Sequence, residues 1–496
     1  MISSAYDKQK QLIPEFFALS LISFLLFSAT LGSAAALGAA GFGLMMLLSF
    51  SLIWLNTRML LAAFLVSLLF QSSMISFFSV YFESRSELSI SQGLTFLLLA
   101  VGFCKSYLYF LSGRLYIDDF QVSVFRKWAP IISVICLFYF FLGALLNGAI
   151  ESAIYLRSSI SVLFLICFGY YTGKTVGWER FSKYYIYIAF AAITFGYLEI
   201  TIPRQIYSLI HADDFFALKY DGRYVITGIE DLISFAQRPF LNLAILKELN
   251  LQTFRISGPN LHSISFAYFL GVTFIFAITQ RRHVLAFLAL LLMLAIQSKG
   301  PFIVIFFSIF ILFTIQKLPK IIHAPMILSA SLLYITATIM IGIAVRDFHV
   351  IGLIGGFNGF LSNPIGHGLG AGGNLARESF EWQDFQNAGA AAFGVESAVG
   401  VLLYQIGIAT IPVIFFYVLF CVKSFHIIRN SERYNLRLLP IMMGVTVING
   451  LFQEEAYNTF ALGLISFIVS AAMGSSKHTT PRKIKDGSAS LKLGPS

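Results

Sequence analysis

Runs of about twenty apolar residues recur along most of this chain, separated by short polar turns, and each run matches the thickness of a bilayer hydrocarbon core. Counting them predicts about fourteen helices, beginning near residues 15, 33, 59, 88, 129, 154, 184, 260, 283, 300, 325, 396, 438 and 457, with the one at 283 the shortest. The fold class is therefore all-α, a polytopic membrane protein with about 14 transmembrane helices.

Two longer polar interruptions divide the rhythm. N-terminal transmembrane helices occupy 1–203, and a first large extracytoplasmic loop occupies 204–259. Further transmembrane helices with a Ser-Lys-Gly turn fill 260–345, and a second large, glycine-rich loop fills 346–395. C-terminal helices take up 396–474, before a basic cytoplasmic tail at 475–496. In the first loop, FLNLAILKELNLQ follows Pro239 with leucines at mixed three- and four-residue spacing, a pattern suited to a helix lying flat on the membrane. The second has Gly366, Gly368, Gly370, Gly372 and Gly373, a backbone free to bend sharply and approach a ligand.

Composition agrees. Hydrophobic residues make up 57% of the 496, charged residues only 12%, and the mean hydropathy is +0.80, which excludes a water-soluble enzyme of ordinary core size. The net charge of +10 comes from cations in alternate turns, among them Arg58, Lys174, Arg180, Lys183, Arg281, Arg282, Lys317, Lys320, Arg429, Arg433 and Arg437. That asymmetry puts both termini in the cytoplasm. It also makes nucleic-acid binding an unnecessary explanation of the charge. The segment around Lys8 and Lys10 with Ser33 to Ala36 also fits a cleavable signal peptide, which leaves the fate of the first helix open. Cys104, Cys136, Cys167 and Cys421 have no metal-ligand or CxxC spacing and read as small buried hydrophobes.

Polar side chains that fit chemistry cluster at the outward boundaries. Arg255 and Asn260 sit in FRISGPNLHS just before a helix, where a guanidinium and a helix N-terminus suit a diphosphate, or an interfacial anchor. Lys299, in the QSKGP turn, can face an anion or snorkel to headgroups. His367, in NPIGHGLGAGG, is a candidate proton acceptor or an incidental loop residue. Glu396 opens a helix as its dipole partner or as a base. Glu454 and Glu455 stand at another outward boundary, ready for a cation, a proton or sugar hydroxyls, or for plain solvation. The glycine run spells GxGxxG, but no βαβ unit surrounds it, so a dinucleotide site is rejected.

In order, FRISGPNLHSISFA, AIQSKGPFIV, NPIGHGLGAGG and VESAVGVLLYQIG resemble the O-antigen polymerase and ligase superfamily over roughly residues 250–410. Two departures are visible: Lys299 stands where arginine is common, and the large loops carry no well-matched pair of Arg-x10-Gly segments.

The resemblance implies a bacterial inner-membrane enzyme, a polysaccharide polymerase for O-antigen or exopolysaccharide. Such an enzyme moves a growing glycan from undecaprenyl diphosphate onto a lipid-linked repeat unit at the periplasmic face, with inversion. It implies no cofactor and no metal, a lipid-linked oligosaccharide as partner within the bilayer, and a chain-length regulator and flippase as companions. It also implies that Arg255 and Arg377 steady the diphosphate with Lys299 assisting, and that His367 or Glu396 activates the acceptor hydroxyl, Asn260 lying beside the substrate. An O-antigen ligase, which gives the chain to lipid A core, shares these motifs. A lipid-linked oligosaccharide flippase would share the helix count.

Overall fold

The computed structural model describes residues 2–112, 127–220, 226–239, 252–345, 347–373 and 396–476. Arg377, residues 240–251 of the leucine-rich stretch and residues 477–496 of the basic tail lie outside them. Within the described residues the chain is an all-α, multi-pass membrane protein. Ten helices are long and apolar enough to cross a bilayer, and four shorter apolar helices accompany them.

The first half begins with α1 (Ile2–Leu55), which is interrupted at Gly38, where φ is 61°. It continues through α2 (Thr57–Phe78), the short α3 (Arg85–Ser91), α4 (Leu94–Leu111), α5 (Ala129–Leu146), α6 (Ala149–Thr175) and α7 (Trp178–Thr201). Where the sequence gives a first large loop, the chain folds into α8 (Pro203–Leu209), α9 (Ala212–Lys219) and α10 (Ile229–Ala236). A two-stranded antiparallel ribbon follows, β1 (Gln237–Pro239) against β2 (Gln252–Phe254), with Arg238 opposite Thr253.

The second half runs through α11 (Ser263–Thr279), α12 (His283–Ile296), α13 (Lys299–Lys317) and α14 (Lys320–Val345). The second large segment is not all loop, because its first part forms α15 (Phe348–Ser362), started by the Asp347 carboxylate accepting from the His349 amide at 2.9 Å. Then come α16 (Ala398–Ile406), α17 (Thr410–Arg429), α18 (Leu438–Asn449) and α19 (Leu464–Ser475).

The centre of the bundle is the crossing of α6 with α19. Gly169 and Gly173 lie one turn apart on α6, and a Cβ at either would stand 2.4 Å from the Phe467 carbonyl or 2.2 Å from that of Ala471. Lipid supplies no hydrophobic drive between helices, so close backbone packing of this kind holds them together. Lipid is instead the solvent of the periphery, where Leu145, Ile321, Leu333 and Met340 are exposed. Cys104 also faces outward, unlike the other three cysteines, which are buried.

Three arginines come together at one end of the bundle. Arg58 pairs with Glu15 at 2.8 Å, Arg180 approaches the same carboxylate, and the Arg433 guanidinium lies over Trp178 and donates to the Ala472 carbonyl. The other end carries α3, α8 to α10 and the polar cavity described next.

Candidate functional site

The cavity at that end has a volume of about 380 Å³ and takes its walls from helix ends that meet there: the end of α2, the starts of α4, α6 and α11, the short helices α3 and α9, and residues 454–460 ahead of α19. Its lining carries three cations, Arg85, Arg157 and Lys219, and two carboxylates, Glu454 and Glu455, together with Gln71, Gln92, Asn260, His262 and Asn458. A polar chamber of this kind, set among apolar helices, is where a ligand with charged and hydroxyl groups finds partners.

Several of these polar groups are held in place. Arg157 stands two turns inside α6 and donates to the Gln92 carbonyl at 3.2 Å, which draws it across to α3. Gln71 of α2 donates to the Ser91 carbonyl at 3.0 Å and accepts from the Thr95 amide at 2.9 Å, so α2 fixes the α3–α4 junction. Tyr155, two residues before Arg157 on α6, donates to Glu454 at 3.1 Å. Asn458 caps the turn that leads into α19, accepting from the Phe460 and Ala461 amides, and its amide nitrogen reaches the Ser265 hydroxyl at 3.0 Å.

The segment 255–262 forms another wall and is clamped from two sides. The buried Glu199 carboxylate at the end of α7 accepts from the amides of Ser257 and Gly258 at 2.7 and 2.8 Å and from the Tyr207 hydroxyl at 2.6 Å. From α2, the Ser73 hydroxyl and amide both donate to the Pro259 carbonyl. That places Asn260 in the cavity wall and lets His262 cap α11 by accepting from the Ser265 amide at 3.2 Å. Two buried acceptors, Asn260 Oδ1 and Glu455 Oε2, have no hydrogen-bond partner. Leaving such atoms bare costs about 1–3 kcal/mol each.

The sequence-derived candidates are distributed unevenly. Asn260 lines the cavity. Arg255 lies in an adjoining chamber that shares His262 with it, and its Nε donates to the Ile296 carbonyl at 3.1 Å. Burial, with Arg238 adding to it, pulls the Arg255 guanidinium below its ordinary range, and Glu455 acts in the opposite sense.

Glu396 sits one layer behind the cavity. Its carbonyl accepts from the Glu454 amide at 3.0 Å and its carboxylate lies 3.4 Å from His349 Nδ1, while His349 Nε2 is 3.1 Å from the Gln453 amide. Glu396 holds a left-handed φ of 69° and so supports the turn that presents Glu454 rather than lining the chamber itself. Lys299 is exposed at the first turn of α13 and is not among the lining residues.

His367 is engaged elsewhere. Its ring stacks on Tyr404 at 4.2 Å and its Nδ1 lies 3.0 Å from the Tyr404 carbonyl, while its own carbonyl accepts from Asn147. The described glycines of this segment approach neighbouring helices: Gly368, at φ 83°, lies so near α5 that a Cβ would fall 2.6 Å from the Gly143 backbone. Arg377 lies outside the described residues.

Sequence reasoning passed over Arg85, Arg157 and Lys219. The signal for Arg157 was present, since a charged residue inside an apolar span marks a polar interior by default. Those for Arg85 and Lys219 were weaker, because Arg85 stands in a short turn and Lys219 in the first large loop, where a lone cation reads as solvated.

Comparison with protein-family models, with curated proteins and with solved structures returns no match to this chain.

Proposed function

We propose that this protein is a membrane glycosyltransferase that extends a glycan on a polyprenyl diphosphate carrier, a polysaccharide polymerase working at the extracytoplasmic face of a bacterial inner membrane. The single observation that carries this reading is a cavity among membrane-embedded helix ends with three cations and two carboxylates in its walls.

Each part answers a need of the reaction. The acceptor hydroxyl oxygen bonds to the anomeric carbon of the donor while the carbon–oxygen bond to the diphosphate breaks, and its electron pair leaves with the diphosphate. Arg157, Arg85 and Lys219 take up the negative charge that develops there, in surroundings where water screens little. Glu454, aimed by Tyr155, accepts the proton of the attacking hydroxyl. Asn260 and Glu455 add polar side chains to the same wall. Arg255 supports from the next chamber, and Glu396 acts through the turn it braces.

The test is incubation of purified protein with repeat units linked to undecaprenyl diphosphate, followed by mass analysis of the products. A ladder of lengthened lipid-linked chains is expected, and Glu454→Gln should slow its formation by about 10²–10⁴-fold. Transfer to a lipid A core acceptor without lengthening would replace polymerase by ligase, and movement of the lipid across the bilayer without transfer would favour a flippase.

A further inference from the structure

Next to the main cavity, and sharing His262 with it, lies a smaller chamber of about 190 Å³ with a different character. Apart from Ser263 and Ile264 at the start of α11, its lining comes from residues 207–262, from α8 to α10 and the ribbon, all outside the long apolar helices. Its walls are aromatic: Phe216 and Tyr220 stack at 5.7 Å, and Tyr220 packs on Phe235 at 5.9 Å. Its charged lining residues are Arg238 and Arg255, and the Arg238 guanidinium lies 5.0 Å over the Phe235 ring.

Aromatic faces and guanidinium groups around a space of this size suit one sugar ring bearing an anion. Stacking faces take the apolar C–H side of a pyranose, and a guanidinium pairs with a carboxylate through two parallel hydrogen bonds. Like charges of Arg238 and Arg255 disfavour each other, a cost that an anion between them removes. The volume is below that of ordinary ligand pockets. A diphosphate tethered to a membrane-embedded polyprenyl chain is better served by the larger cavity, whose walls are the ends of spanning helices.

We propose that this chamber selects a carboxylated sugar, a uronic acid residue of the glycan. Its carboxylate sits between Arg238 and Arg255, and its ring lies against Phe216, Tyr220 and Phe235. The inference rests on the glycosyltransferase reading and names the substrate class of that same site.

The carboxylate of a sugar and the diphosphate of the carrier are both anions, so the test separates them. Binding of three probes to the purified full chain in detergent would be measured: glucuronate and galacturonate oligosaccharides, the same oligosaccharides reduced at their carboxyls, and farnesyl diphosphate. Expected are uronate binding at least about tenfold tighter than binding of the reduced oligosaccharides, and loss of that preference in Arg238→Ala with only partial recovery in Arg238→Lys, which keeps the charge without the two parallel hydrogen bonds. Farnesyl diphosphate affinity should be unchanged in Arg238→Ala and weakened in Arg85→Ala.

Equal binding of acidic and neutral oligosaccharides, or no oligosaccharide binding with farnesyl diphosphate still bound, would overturn the uronate assignment alone. Loss of farnesyl diphosphate binding in Arg238→Ala would overturn it in favour of the carrier headgroup. Failure of all three probes to bind would remove the glycosyltransferase reading together with the inference.

Discussion

At the scale of single residues, the site depends on groups that never touch the cavity. Glu199 is the clearest, since one buried carboxylate satisfies two loop amides and a tyrosine hydroxyl and so fixes the segment bearing Asn260 and His262. Glu199→Ala should leave three donors without their acceptor and cost about 3 kcal/mol or more of stability. Thermal unfolding in detergent would show it, and an unfolding midpoint equal to the parent's would sink the clamp. Little of this could be read from sequence. Glu199 closes an apolar span much as any boundary carboxylate does, and its two amide partners lie 58 and 59 positions away. Arg157 was more legible, as a charge within an apolar run. His367 attracted notice because it sits in a glycine-rich segment near a recognisable motif, yet what decides its role is the distant Tyr404 it stacks on.

Among elements, helix existence was the most legible feature, because twenty apolar residues in a bilayer leave the backbone no alternative to internal hydrogen bonding. Positions were less so. The expected helices near 15 and 33 form one stretch broken at Gly38, and α15 forms within what reads as a glycine-rich loop. Glycine lowers helix propensity in water, but Gly356 on α15 brings it so close to α16 that a Cβ there would lie 2.2 Å from the Gly400 carbonyl. The same physics governs the central crossing. Gly173→Leu would drive a side chain into the Ala471 carbonyl, and overpacking of this kind costs about 1–3 kcal/mol or more. Reduced yield of folded protein in fluorescence-detected size exclusion would bear this out, whereas a parent-like profile would show that α6 and α19 pack otherwise.

For the whole molecule, hydropathy and charge asymmetry give a bundle whose two ends differ. One carries Arg58, Arg180 and Arg433, and the other the cavity and the short helices. The positive-inside rule predicts that the first end faces the cytoplasm. Gln92→Cys, in the cavity wall, should therefore be modified by a membrane-impermeant thiol reagent added to intact cells, in a background lacking the exposed Cys104. Labelling only after the cells are opened would invert the orientation. What the sequence could not supply is the cavity itself, because its charges come from segments spread between residues 85 and 455 and converge only when the helices pack.

The most direct measurement is the rate of chain lengthening on undecaprenyl-diphosphate-linked repeat units for Arg157→Gln and His367→Ala side by side, each first shown to be folded. If the cavity is the reaction site, Arg157→Gln should fall by about 10²–10³-fold, as when a charge-stabilising donor is removed, while His367→Ala keeps most of its activity. Full activity in Arg157→Gln with loss in His367→Ala would contradict that assignment and return the chemistry to the glycine-rich segment.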